Sequence, residues 1–153
     1  MTSVKKVVVF GGSGFLGSYV ADELTRRGYD VTIADITPSK YMSSNQKFVT
    51  CDIMDVGLIE KIVAGADCVY NFIAIANLED AIHQPVNAMN INVIGNLHIL
   101  ETCKKHQVKR FIYASSAYAL SNEGSFYGIS KQTSEKLDRK STRRTPVTWP
   151  SRM

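Results

Sequence analysis

At 153 residues the chain suffices for one domain with its own core, and 44% hydrophobic and 21% charged residues are ordinary for a folded protein. No apolar run approaches the roughly 20 residues that cross a bilayer, and none follows Lys5-Lys6 as a leader would, so no membrane association and a cytoplasmic location are expected. The net charge of +4 does not signal nucleic-acid binding. Arg139, Lys140, Arg143, Arg144 and Arg152 crowd the acid-free last fifteen positions, and the remaining body is near neutral.

In chain order, Val7–Phe10 is a short apolar run predicted to be a strand buried on both faces, as in a parallel sheet. Gly11, Gly14 and Gly17 follow at three-residue spacing, then a helix with Leu16, Val20 and Leu24 on its apolar face and Gly28 past its end. A glycine turn opening a helix lets backbone N–H groups and the helix dipole approach a diphosphate. Residues 30–34 form a second strand, closed by Asp35 about 20 residues beyond the turn, where a carboxylate meets the adenosine ribose hydroxyls. Asp35 favours NAD over NADP, because a 2′-phosphate would meet a like charge and no arginine follows. The competing readings of this half are a solvated acid at a strand end or a methyl-donor site.

The alternation continues with a strand at 47–50 and a helix capped by Asp55, with Leu58, Ile59, Ile62 and Val63 inward and Gly65 at its end. A strand and its exit are expected at 68–76. A long helix from Pro85 follows, with Val86, Met89, Val93, Leu97 and Leu100 on one face and His98 off it, facing solvent. A fifth strand at 108–114 and a helix from Tyr127 to about Asp138 complete the pattern. Strands alternating with helices imply right-handed crossovers and an α/β fold. The expected architecture is a Rossmann-type doubly wound parallel sheet of about five strands in three layers. The domain is expected to span residues 1–138, and the basic tail 139–153, with two prolines and an isolated Trp149, is expected to be disordered or foreign to the fold. Cys51, Cys68 and Cys103 are odd in number and widely spaced, which fits reduced, buried thiols. Neither they nor His83, His98 and His106 show a ligand pattern, so no metal is expected.

Ser115 and Ser116 end the fifth strand, at the sheet edge where open α/β folds place ligands. Tyr127 and Lys131 lie four apart on the next helix and share a face. An ammonium near a phenol favours the phenolate, so Tyr127 could exchange a proton with a substrate hydroxyl or carbonyl while Ser116 holds that oxygen.

With GGSGFLG, Asp35, Cys51-Asp52-Ile53, NFIAIA, Asn92 within NINVIGN, YASSA and YGISK, residues 4–138 resemble the N-terminal, NAD-binding part of extended short-chain dehydrogenases/reductases. These form the NAD-dependent epimerase/dehydratase group, whose members act on nucleotide sugars. The resemblance implies that Gly11, Gly14, Phe15, Leu16 and Gly17 belong to the pyrophosphate turn and that Asp35 takes the adenosine ribose. It places Asp52 and Ile53 beside the adenine, Ala74 and Ala76 under the cofactor, and Asn92 behind the nicotinamide. It assigns catalysis to Ser116, Tyr127 and Lys131, with Tyr127 and Lys131 also touching cofactor. It further implies a UDP-sugar type of substrate and pairing of two copies through helices at 85–105 and 127–138. Ile53, Ala74 and Ala76 are equally consistent with core packing. The chain departs from the group at Phe10, where Thr is usual, at Ala119-Leu120-Ser121, and in the short Ser116–Tyr127 connection. Beyond Asp138 the expected substrate domain gives way to a stretch resembling a truncation or a shifted frame. Two functions therefore stand: the cofactor part of a nucleotide-sugar epimerase or dehydratase, and a truncated, non-catalytic NAD-binding module.

Overall fold

The computed structural model describes residues 5–141. Strands β1 (Lys6–Phe10), β2 (Asp30–Asp35), β3 (Lys47–Thr50), β4 (Cys68–Asn71) and β5 (Arg110–Tyr113) form one all-parallel sheet in the order β3-β2-β1-β4-β5. The chain builds outward from β1 to β3, then returns to the other side of β1 with β4. This reversal opens a crevice at the C-terminal ends of β1 and β4. β1 is buried on both faces, as its unbroken apolar run predicts.

Alternation along the strands feeds two cores. Val8, Phe10 and Val69 face Ile59, Ile62 and Val63 of helix α2 (Val56–Val63) and Ile99 and Cys103 of helix α5 (Asn96–Lys105). Val7, Val9, Val31 and Ile33 face Ala21 of helix α1 (Phe15–Arg26) on the other side. The Asp55 side chain accepts from the Leu58 N–H at 2.9 Å, the expected cap of α2. Cys51 and Cys103 are buried as expected, Cys68 is partly so, and all three are free thiols.

The structure corrects several expectations. On α1 Leu24 packs against the sheet core as expected, but the fully buried residues are Gly17 and Ala21, and Leu16 is 61% exposed. The helix crosses the turn too closely for a branched side chain. The strand and exit expected at 68–76 are both present, the strand ending at Asn71, where side chains take over the backbone partners: Asn71 Oδ1 accepts from Ile73 N and Asn92 Oδ1 from Ile75 N. β5 starts only at Arg110, because the Val108 N–H closes the end of α5 on Cys103 O.

The long helix expected from Pro85 runs without a break to Lys105, but not as a regular α-helix. Helices α3 (Leu78–His83) and α4 (Pro85–Met89) meet at Gln84, and Asn90–Gly95 then forms a π-helical turn leading into α5. That wide turn resets the helix phase. Val93 and Leu100 of the expected face are buried, but so are Ala88, Asn92, Gly95, Asn96 and Ile99, while Val86 is 73% exposed. His98 is half-buried, its Nδ1 3.3 Å from Ile53 O, not out in solvent. Helix α6 runs from Ser125 to Ser141, so residues 139–141 of the expected tail are helical. The rest of that tail, with Trp149, lies outside the described residues. Within the described residues no helix is long and apolar enough to cross a membrane, and no group of three or more His, Cys, Asp or Glu side chains could hold a metal.

Candidate active site at the sheet's C-terminal edge

The turn after β1 depends on the absence of side chains. Gly11 has φ +74°, and a Cβ there would sit 2.8 Å from Ile73 N. A Cβ on Gly17 would lie 2.1 Å from Gly11 O. The helix can therefore begin directly against the turn, with Gly14 N donating to Gly11 O at 3.1 Å. Gly14 stands at the N-cap position without a capping side chain, and no acid occupies the first turn. No side chain of α1 itself therefore compensates its positive end. Phe15 and Leu16 turn their side chains outward, 79% and 61% exposed, so what they offer this turn is backbone.

Asp35 at the tip of β2 folds toward the same turn. One carboxylate oxygen accepts from Ser13 N at 3.0 Å and the other from Ile36 N at 2.8 Å. This places the acid beside the glycines, as the spacing predicts. Asp52 is exposed and holds Met54 N, while Ile53 is core, its side chain filling the space in front of Gly95. At the β4 exit Ala74 is half-buried and Ala76 exposed. The loop that carries them is clamped by Asn92, whose amide accepts from Ile75 N at 2.7 Å and donates to Ile75 O at 3.1 Å. Asn92 also donates to Ser130 Oγ at 2.9 Å and is 1% exposed. Its side chain therefore acts by holding the loop against α6.

Lys131 is 3% exposed and donates to Ala114 O at 2.7 Å. Burial pulls its ammonium down from 10.5 to about 8. Its Nζ lies 5.7 Å from the centre of the Tyr127 ring and 4.7 Å from that of Tyr113. Burial pushes the Tyr113 phenol up to about 12. Ser116 caps the 3₁₀ turn Ala117–Leu120, its Oγ accepting from Tyr118 N at 3.3 Å and leaving its own proton to donate. Ser115, beside it, bonds instead to Glu135 of α6. Proton donors, a phenol and an ammonium thus gather at the strand ends that carry the glycine turn. Such a group can bind an anion and exchange a proton at an adjacent oxygen.

The sequence did not point to the polar core beneath this edge. Asn71 Nδ2 donates to Asn96 Oδ1 at 2.9 Å, and Ser134 Oγ donates to Asn92 O at 2.7 Å. The available signal was polar residues at inward positions: Asn92 and Asn96, and Ser130 and Ser134, each four apart on one helix. A separate cleft of about 330 Å³, bordered by Lys5, Tyr29, Tyr70 and Arg110, lies at the opposite, N-terminal end of the strands.

Residues 7–146 match the model of the NAD dependent epimerase/dehydratase family. Over 132 residues the chain is 31% identical to the UDP-glucose 4-epimerase of Lactobacillus helveticus, covering 83% of this chain and 38% of that protein. It superposes on a UDP-glucose 4-epimerase of Thermotoga maritima, solved with UDP-glucose, with TM-score 0.82 and 28% identity, over 90% of this chain and 51% of that one. Against the Brucella ovis UDP-glucose 4-epimerase, solved with NAD, the TM-score is 0.80 and the identity 25%, over 88% and 46% of the respective chains. The chain thus spans about half the length of these proteins or less. With a glycine turn, a β2 acid and a Ser-Tyr-Lys set on a five-stranded parallel sheet, and a family match over nearly its whole length, this chain belongs to the NAD-dependent epimerase/dehydratase family.

Proposed function

We propose that this chain holds NAD along its C-terminal sheet edge and supplies the proton-transfer side chains for hydride chemistry on a nucleotide sugar of the UDP type. The observation that carries this reading is the placement of Lys131. It is a buried ammonium 5.7 Å from the Tyr127 ring, at the same edge as an α1 N-terminus whose own first turn has no capping side chain and no acid. The crossing of α1 over the turn, possible only without Cβ atoms at Gly11 and Gly17, fits the close backbone approach a diphosphate needs. Gly11, Gly14, Phe15, Leu16 and Gly17 would receive the pyrophosphate and Asp35 the adenosine ribose. Backbone at Asp52 and Ile53 would border the adenine, and Ala74 and Ala76 would lie along the cofactor.

NAD, when bound, supplies the hydride acceptor. Ser116 would donate its free proton to the sugar oxygen. Tyr127 would take that oxygen's proton and return it, with the Lys131 ammonium 5.7 Å from its ring. Asn92 would hold the β4 exit and α6 at a fixed separation through Ile75 and Ser130.

A coupled assay for interconversion of UDP-glucose and UDP-galactose tests the reading. Turnover that Tyr127→Phe abolishes while NAD affinity stays within about twofold supports it. Turnover that survives Tyr127→Phe overturns the assignment of the base. The alternative reading is a cofactor-holding module without turnover. That reading expects NAD binding with no conversion by either protein.

A further inference from the structure

One residue unused by the reading above, Tyr118, touches two members of the reactive set, one through its main chain and one through its ring. The backbone N–H of Tyr118 donates to Ser116 Oγ at 3.3 Å. Its ring meets Tyr127 edge-on, with centroids 6.2 Å apart and planes at 76°. The surroundings of that ring are built for it. Gly124, at φ +83°, lies so close beneath it that a Cβ would fall 2.7 Å from Tyr118 Cγ. Gly128, the neighbour of Tyr127 on α6, approaches the Tyr118 carbonyl, and a Cβ there would come within 3.3 Å of that oxygen.

We infer that Tyr118 is a positioning residue that sets the Tyr127 phenol in register with the Ser116 hydroxyl. The inference rests on the proposed function, since it concerns the same reacting oxygen. Two groups that must reach one oxygen gain from being fixed to each other before substrate arrives. Ser116 is held by the cap of its own 3₁₀ turn, but Tyr127 sits in the first turns of a separate helix. Tyr118 joins the two, its main chain on the hydroxyl and its ring edge-to-face on the phenol. Because the Ser116–Tyr127 connection is short, little other chain stands between them to do this.

The test uses the full chain with ¹³C-labelled tyrosine, the Tyr127 signals being identified by their loss in Tyr127→Phe. Tyr118→Phe keeps the ring edge and should leave the Tyr127 signals in place. Tyr118→Leu fills similar space without an aromatic edge and should move them, with folding checked by circular dichroism. NAD affinity should stay within about twofold in both. In the coupled assay Tyr118→Leu should lower kcat about three- to tenfold, the size of a lost aromatic pair, and Tyr118→Phe should restore it. Tyr127 signals unmoved in Tyr118→Leu, or moved equally by Tyr118→Phe, overturn the inference. If the wild-type chain neither binds NAD nor turns over, the proposed function fails by itself, and the tyrosine signals still decide the positioning claim.

Discussion

Replacing Lys131 with Met isolates the cost of burying an ammonium beneath the site. The folded value is about 8 against 10.5 for a free lysine, and burial is the cause. Between these values the unfolded chain binds more protons than the folded one, so stability rises with pH. The penalty is complete below pH 8, shrinks as pH rises through 8, and is gone above 10.5. Relative to Lys131→Met, the wild-type protein should therefore gain ~1 kcal/mol of unfolding free energy between pH 7 and pH 9. Burial also raises Cys51 to about 11, Cys103 to about 12 and Tyr113 to about 12. Both proteins carry those groups, so their titration cancels in the difference. Urea unfolding of the two proteins at pH 7, 8 and 9 reads the effect directly. A wild-type minus mutant difference that stays flat across that range would refute a buried, charged Lys131.

Three further outcomes follow from the same geometry. Gly17→Ala would drive a Cβ to 2.1 Å from Gly11 O, so the turn must open; a loss of about 1–3 kcal/mol in urea unfolding is expected, together with loss of NAD heat in calorimetry. Asn92→Ala strands Ile75 N and Ile75 O, while Ser130 Oγ keeps its bond to Tyr127 O, and should cost at least ~2 kcal/mol by the same unfolding assay. Asp35→Ser removes the charge that would oppose a 2′-phosphate, so titration should show NADP affinity rising relative to NAD; an unchanged ratio would count against the role given to Asp35.

The sequence exposed the sheet and its reactive edge to different depths. The alternation of β1, α1 and β2 was legible because unbroken valines, spaced glycines and a terminal acid each have a local physical cause. The meeting of Asp35 with the glycine turn followed from that register. The inward face of the region from Pro85 to Lys105 was legible only in part: Val93 and Leu100 are buried as expected, but Asn92 and Asn96 join them. A π-helical turn leaves no periodic apolar mark, and the residues it turns inward, Asn92 and Asn96, are polar. The point within 68–76 where the strand gives way to its exit was not legible for a related reason. Its apolar residues look like a ladder, but Asn71 and Asn92 side chains take the backbone bonds. Leu16 shows a limit of periodicity itself, since close approach at Gly17 outranked burial of a larger side chain. Tyr118 could not be found from spacing, because its contacts run between a 3₁₀ turn and the helix beyond it.

The central claim is that the uncapped start of α1 and the acid of β2 together form a cofactor seat. Isothermal titration of NAD into the purified chain tests it most directly. Saturable one-to-one heat is expected, weaker for NADP and lost in Gly17→Ala. Absence of any heat at millimolar NAD, from a chain whose circular dichroism shows it folded, would contradict it.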